Sequence, residues 1–126
     1  MVTVETPRIL FVEDEPLALE LLSRALGEKG YEVHAFPCPA TALTWFEANS
    51  DKIDILITDQ SMPSFTGAQL IERARAIKER LPSIIVTGLG NVSGAYFKTG
   101  PTSVLQKPFK RQQLIDAIKN LIQENL

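Results

Sequence analysis

Short apolar runs alternate along the chain with longer segments in which apolar residues recur at helical spacing. The runs cover residues 8–13, 31–36, 53–58, 83–87 and 103–106, and each has the length of a β strand. This alternation is typical of a parallel sheet with helices on both faces. Residues 53–58 form the most apolar run, which predicts a central strand because such strands are buried on both sides.

The segments of helical period each place their apolar residues on one face. The predicted inward residues are Leu19, Leu22 and Leu26 before a stop at Gly30; Ala42, Leu43 and Phe46 in 39–49; Leu70, Ile71, Ala74 and Ile77 in 67–80; and Leu114, Ile118, Leu121 and Ile122 in 110–126. The connection 88–101 is rich in glycine, and each interior glycine costs a helix about 1 kcal/mol relative to alanine. Any helix there is predicted to be short and marginal, and the connection to be the most mobile part of the fold.

The composition excludes several functional classes. A chain of 126 residues, 44% of them hydrophobic, is predicted to form one domain over residues 1–126. A net charge of -2 argues against direct binding to nucleic acid or to an anionic membrane, because both require an excess of positive charge. The single cysteine and single histidine exclude a disulfide framework and argue against a thiolate or imidazole metal site, so any metal is expected to be held by oxygen. Because no signal peptide or membrane-length apolar run is recognised, a cytoplasmic location is expected.

Charged and hydroxyl side chains follow four of the five predicted strands. Glu13 and Asp14 end the first, Asp59 the third, Thr87 the fourth and Lys107 the fifth. The carboxyl ends of parallel strands share one edge of a sheet, where ligands bind. Clustered carboxylates disfavour one another's ionised forms, so the cluster needs cations, of which Lys107 is one and Mg²⁺ the natural second.

Four motifs stand in order at these strand ends: ILFVEDEP, DILITDQSMPSFTG, IIVTG and LQKPF. Together they resemble the receiver domains of bacterial two-component response regulators, over essentially the whole chain. The resemblance implies a flavodoxin-like (βα)5 three-layer α/β sandwich with a parallel five-stranded sheet of order 2-1-3-4-5. It also implies a phosphoacceptor that assists its own phosphorylation and slow dephosphorylation and is not a turnover enzyme.

The resemblance assigns a role to each residue of the cluster, and it implies an Asp59 that is exposed for attack at its strand tip. The expected roles are Asp59 as phosphoacceptor, Asp14 as direct Mg²⁺ ligand, Glu13 as a ligand through water, the Ser61 backbone carbonyl as a further ligand, Thr87 and Lys107 as partners of phosphoryl oxygens, and Lys107–Pro108 as a cis peptide bond.

The implied function is signalling by phosphorylation. The donor would be the phosphohistidine of a sensor histidine kinase or a phosphotransfer protein, and a change of conformation would reach a downstream effector. The receiver would be a monomer or weak homodimer. Two alternatives stay open: a docking module that is never phosphorylated, and a receiver cut from a hybrid kinase or longer regulator. An aspartate-nucleophile phosphatase is disfavoured, because Ser61 occupies the position of its acidic residue.

Each candidate residue also has a purely structural interpretation. Asp14 before Pro16 suits a helix N-cap, Asp59 suits a turn, Thr87 is common in strands and Lys107 suits a solvated surface. His34 and Cys38 are interpreted as structural residues outside the site.

Three positions depart from the commonest receiver pattern. Val104 replaces the usual aromatic three residues before the lysine, so the usual aromatic switch is missing. Ser61 and Leu89 occupy positions that in the family tune the lifetime of the phosphoryl group, and neither orients water strongly.

Overall fold

A computed structural model of the protein describes residues 6–88 and 99–124, except for the side chain of residue 124. In chain order its elements are β1 (Arg8–Val12), α1 (Pro16–Glu28), β2 (Glu32–Phe36), α2 (Pro39–Asn49), a 3₁₀ turn (Ser50–Lys52), β3 (Ile55–Asp59), α3 (Gly67–Ile77), β4 (Ser83–Thr87), β5 (Thr102–Gln106) and α4 (Arg111–Glu124).

The five strands form one parallel sheet of order 2-1-3-4-5, which confirms the predicted fold class. β3 is the central strand and all five of its residues are buried, as its apolar sequence predicts. The strand bounds differ slightly from the predicted ones. β1 ends at Val12 instead of residue 13, and β3 extends to Asp59, so that the carboxylate belongs to the last residue of the strand.

Two apolar layers lie on opposite faces of the sheet, and together with the helices they make the predicted three-layer sandwich. Helices α2 and α3 cover one face, with Phe46, Leu70 and Ile71 fully buried against β1 and β3. Helices α1 and α4 cover the other face, where Leu26 and Ile118 are fully buried. The remaining predicted inward residues are buried or half-buried in these layers, with one exception.

That exception is Ile77, which is 39% exposed, because α3 ends earlier than predicted. The helix stops at Ile77 and not at residue 80, and Lys78 already has extended backbone angles. Arg80 then adopts a positive φ of 59°, and Pro82 disfavours helical geometry in the residue before it. The apolar spacing therefore continues to the last residue of α3, which the core no longer covers.

Charged side chains form hydrogen bonds that connect the amino ends of neighbouring strands. Arg8 binds Asp54 through its backbone N–H at 2.7 Å and its guanidinium at 3.3 Å, which joins β1 to the entry of β3. The buried guanidinium of Arg75, on α3, donates to the carbonyl oxygens of Leu81 and Pro101 and so joins the entries of β4 and β5.

Predictions for the glycine-rich connection concern residues that are mostly outside the described ones. The expected short helix, the expected mobility and the position of Leu89 fall largely or wholly on residues 89–98. Among the helices that the structure does describe, none is long and apolar enough to cross a membrane.

Candidate functional site

Three carboxylates meet at the carboxyl ends of β1 and β3. Glu13 and Asp14 directly follow β1, Asp59 ends β3, and one oxygen of each lies within 4.8 Å of the others. We call these three residues the acid cluster. Asp59 is only 7% exposed and Glu13 only 3%, whereas Asp14 is the most accessible. The expectation of an exposed Asp59 was therefore wrong: as the last residue of a central strand, Asp59 is recessed between its neighbours.

Lys107 supplies the positive charge of the site. Its Nζ lies 3.1 Å from Asp59 Oδ1 and 3.3 Å from Glu13 Oε1, so one ammonium contacts both buried carboxylates. The backbone holds the lysine there, because its N–H donates to the Thr87 carbonyl oxygen at 2.7 Å. The Lys107–Pro108 peptide bond is cis, as the resemblance implies.

The charges of the site are not balanced by the side chains alone. Burial, followed by the charge of Asp59, raises the pKa of Glu13, although Lys107 opposes this shift. Burial lowers the pKa of Lys107, but its hydrogen bond to Asp59 and the charges of both carboxylates outweigh this effect and raise it. The three clustered carboxylates form a set of hard oxygen donors that suits Mg²⁺, and one ammonium neutralises only one of their charges.

The structure places the other two predicted site residues nearby in the fold. Thr87 ends β4, is 3% exposed, and pairs in register with Gln106, which precedes the lysine. Ser61 is exposed in the connection 60–66, two residues after Asp59. Val104, in the edge strand β5, is 38% exposed.

Asp14 is not needed as the cap of α1. The N-cap is Glu15, whose carboxylate accepts a hydrogen bond from the Ala18 N–H at 2.9 Å, and Pro16 begins the helix. The N-cap role that the sequence suggested for Asp14 is therefore filled by Glu15.

The turn after Asp59 is closely packed in a way that the sequence pattern did not reveal. A Cβ atom on Gly67 would lie 2.3 Å from the backbone oxygen of Asp59, so only glycine fits there. Gln60 was also missed: its side chain reaches eight residues along the chain to accept a hydrogen bond from the Ala68 N–H at 2.9 Å. The available signal was a glutamine beside Asp59 in a turn that leads directly to a helix.

His34 and Cys38 lie outside the acid cluster. His34 binds Glu32 at 2.8 Å and stacks on Trp45 with a ring separation of 4.6 Å, which is a packing role. Cys38 is the N-cap residue of α2, where the backbone N–H of Thr41 lowers the thiol pKa.

Comparison with known proteins gives one consistent family. A family model described as "Response regulator receiver domain" matches residues 9–119. The transcriptional regulatory protein GlrR of Escherichia coli K12 is 31% identical over 119 residues, which cover 93% of this chain and 26% of that protein. The response regulator MprA of Mycobacterium avium is 31% identical over 117 residues, which cover 91% of this chain and 50% of that protein. The chain thus spans half or less of the length of these two relatives.

Solved structures are similar over nearly their whole length. A response regulator receiver domain protein from Clostridium thermocellum has a TM-score of 0.87 and 31% identity, covering 94% of this chain and 96% of that one. The receiver domain of the hybrid histidine kinase CckA has a TM-score of 0.79 and 33% identity, covering 91% and 98% respectively.

Proposed function

The chain belongs to the response regulator receiver domain family, and we propose that it accepts a phosphoryl group on Asp59, with Mg²⁺ held at the acid cluster. Receiver domains are the phosphoacceptors of two-component systems and are not classical turnover enzymes. The observation that carries the proposal is the position of the Asp59 carboxylate, which is recessed beside two further carboxylates and in contact with an ammonium.

The proposed reaction is a transfer between a phosphohistidine and a carboxylate. A carboxylate oxygen of Asp59 forms a bond to phosphorus while the bond from phosphorus to the donor's imidazole nitrogen breaks, and the electron pair returns to that nitrogen. Such a transfer has little covalent chemistry for the protein to perform, so positioning and neutralisation of charge carry the catalysis.

Each residue of the site has a part in that reaction. Lys107 pairs with a phosphoryl oxygen and the Thr87 hydroxyl donates to another, while β3 and β4 hold Asp59 in place. Glu13, Asp14, Asp59 and the Ser61 backbone carbonyl would hold Mg²⁺, which would supply further positive charge for the phosphoryl oxygens.

The donor we propose is a sensor histidine kinase or a phosphotransfer protein, and the product signals to an effector by a change of conformation. The relatives that are two to four times longer suggest that this receiver works either alone or as the phosphoacceptor part of a larger regulator. A cytoplasmic location and a single folded unit over residues 1–126 belong to the same proposal.

The proposal is tested with acetyl phosphate, a small donor that needs no kinase. We expect the intact mass of the wild type to increase by one phosphoryl group only when Mg²⁺ is present, and Asp59→Asn to remain unmodified. Asp51→Asn, which removes an exposed carboxylate outside the acid cluster, serves as the matched control and is expected to label normally. Equal labelling of wild type and Asp59→Asn would show that another residue accepts the phosphoryl group. A wild type that never labels would favour the docking module.

A further inference from the structure

We infer that Gln60 is a positioning residue that fixes the backbone of the metal-binding turn by holding the first amides of α3. This inference rests on the proposed Mg²⁺ site. Gln60 lies between the proposed phosphoacceptor Asp59 and Ser61, whose backbone carbonyl is a proposed ligand. Any motion of Gln60 therefore moves two of the groups that would hold the metal.

Gln60 is anchored at three atoms. Its backbone N–H donates to the Val86 carbonyl oxygen of β4 at 2.9 Å. Its carbonyl oxygen accepts from the Gly67 N–H at 3.1 Å, and its side-chain oxygen accepts from the Ala68 N–H at 2.9 Å. Gln60 alone thus connects the end of β3 to β4 and to the start of α3.

These contacts complete the N-terminus of α3, where the first N–H groups have no partner within the helix. Gly67 and Ala68 both donate to Gln60. The next amide, Gln69, donates to the Thr66 hydroxyl at 3.2 Å, and the Gln69 side chain accepts from the Thr66 N–H at 2.8 Å, which makes a capping box. The capping box fixes the helix end, whereas Gln60 connects that end to the site.

The turn between the two anchors is short and closely packed. Gly67 touches the Asp59 carbonyl oxygen so closely that no side chain fits, and the Thr58 hydroxyl donates to the same oxygen at 2.9 Å. On the far side of Ser61, Met62 packs on the apolar layer below α2 and α3. The Ser61 peptide is therefore held between Gln60 and Met62, and loss of the Gln60 side-chain hydrogen bond removes one of the three contacts that fix Gln60.

The test compares two variants of the full chain that each remove one side-chain hydrogen bond at the same helix end. Gln60→Met keeps the length and volume of glutamine but cannot accept from Ala68. Gln69→Met removes the capping-box hydrogen bond to Thr66 and leaves Gln60 intact. Mg²⁺ affinity is measured by isothermal titration calorimetry, free energy of unfolding by urea denaturation, and the Ala68 amide by hydrogen exchange.

We expect Gln60→Met to bind Mg²⁺ about tenfold more weakly than the wild type, which is the usual scale for residues that orient metal ligands. Gln69→Met should lose similar stability and keep wild-type affinity. Gln60→Glu retains the acceptor, so its affinity should equal or exceed that of the wild type, and the Ala68 amide should exchange faster only in Gln60→Met. If Gln60→Met does not fold, Gln60→Asn, which is too short to reach Ala68, takes its place.

Unchanged Mg²⁺ affinity in Gln60→Met, or an equal loss in Gln69→Met, would overturn the inference while leaving the proposed site intact. A wild type that does not bind Mg²⁺ would overturn the proposed metal site and this inference together. The titration of the wild type therefore separates the two failures.

Discussion

Replacing Asp59 by asparagine is expected to stabilise the protein when no Mg²⁺ is present. Asp59 shares a site with Glu13 and Asp14, and among the residues that the structure describes Lys107 is the cation that pairs with this cluster. The substitution removes one of the three negative charges and keeps nearly the same shape. A change that abolishes the proposed activity should therefore raise the free energy of unfolding.

The distances give the sign and the scale of the effect. At 4.8 Å, the upper limit of the separations, each carboxylate pair repels by about 3.5 kcal/mol with an effective dielectric constant of about 20. The lost attraction to Lys107 at 3.1 Å is about 5 kcal/mol on the same basis. Lys107 is 38% exposed and Asp14 is also accessible, so water weakens both effects. We expect a net gain of about 1–2 kcal/mol, equivalent to an increase in Tm on the order of 5 °C.

Thermal unfolding followed by circular dichroism in EDTA measures the difference, with Asp51→Asn as the control for loss of one carboxylate. Adding Mg²⁺ should stabilise the wild type more than Asp59→Asn, because ligand binding to the folded state adds RT ln(1 + [Mg²⁺]/Kd). A lower Tm for Asp59→Asn than for the wild type in EDTA would refute the electrostatic reasoning.

The pH dependence follows from the raised pKa of Glu13. A carboxyl group whose pKa is raised on folding favours the folded state when protonated, so its contribution is complete below the ordinary value of 4.5. That contribution is lost as the pH rises through the folded-state pKa. The free energy of unfolding of the Mg²⁺-free wild type should therefore fall between acidic and neutral pH as Glu13 ionises. In Asp59→Asn the fall should be smaller, because the charge of Asp59 is one cause of the raised pKa of Glu13.

Three further outcomes are expected. Gly67→Ala should destabilise the fold by about 1–3 kcal/mol and slow labelling by acetyl phosphate, because its Cβ would overlap the Asp59 carbonyl oxygen; urea denaturation and intact mass check it. Arg75→Met should cost about 2–4 kcal/mol in urea denaturation because it removes the charge-assisted hydrogen bonds of the guanidinium to the carbonyl oxygens of Leu81 and Pro101. Arg75→Lys should restore little of this, since one ammonium cannot reproduce the fork of a guanidinium. The aspartyl phosphate should be long-lived, and replacing Ser61 by Asn and Leu89 by Glu should speed its hydrolysis by about 10²-fold or more. Phosphate release is timed after the donor is removed. Equal lifetimes in variants that load normally would contradict this expectation.

Much of the fold could be predicted because apolar spacing reports burial directly. Leu70, Ile71 and Ala74 were placed in the core by their period, and they are fully buried there. Ile77 has the same period but is exposed, because the end of a helix depends on the backbone of the residues that follow and not on the apolar pattern.

The site was predictable in position but not in environment. The motifs place Asp59 at a strand end, but its burial depends on Lys107 and on neighbouring strands that are distant in sequence. Arg75 was not singled out, because an arginine in an amphipathic helix ordinarily lies in solvent. Its partners are carbonyl oxygens, which every residue possesses, so no pattern of side chains identifies them.

The contact between Lys107 and Glu13 joins residues that are 94 positions apart, and this separation has a consequence for synthesis. During synthesis the three acidic residues are translated first, and Lys107 is added only after β5. β5 lies at the edge of the sheet and pairs with β4 alone, so a chain released before β5 would keep all three carboxylates and lack their counter-charge. Premature termination would thus yield a fragment that retains the proposed metal ligands without the cation that is proposed to pair with the phosphoryl group.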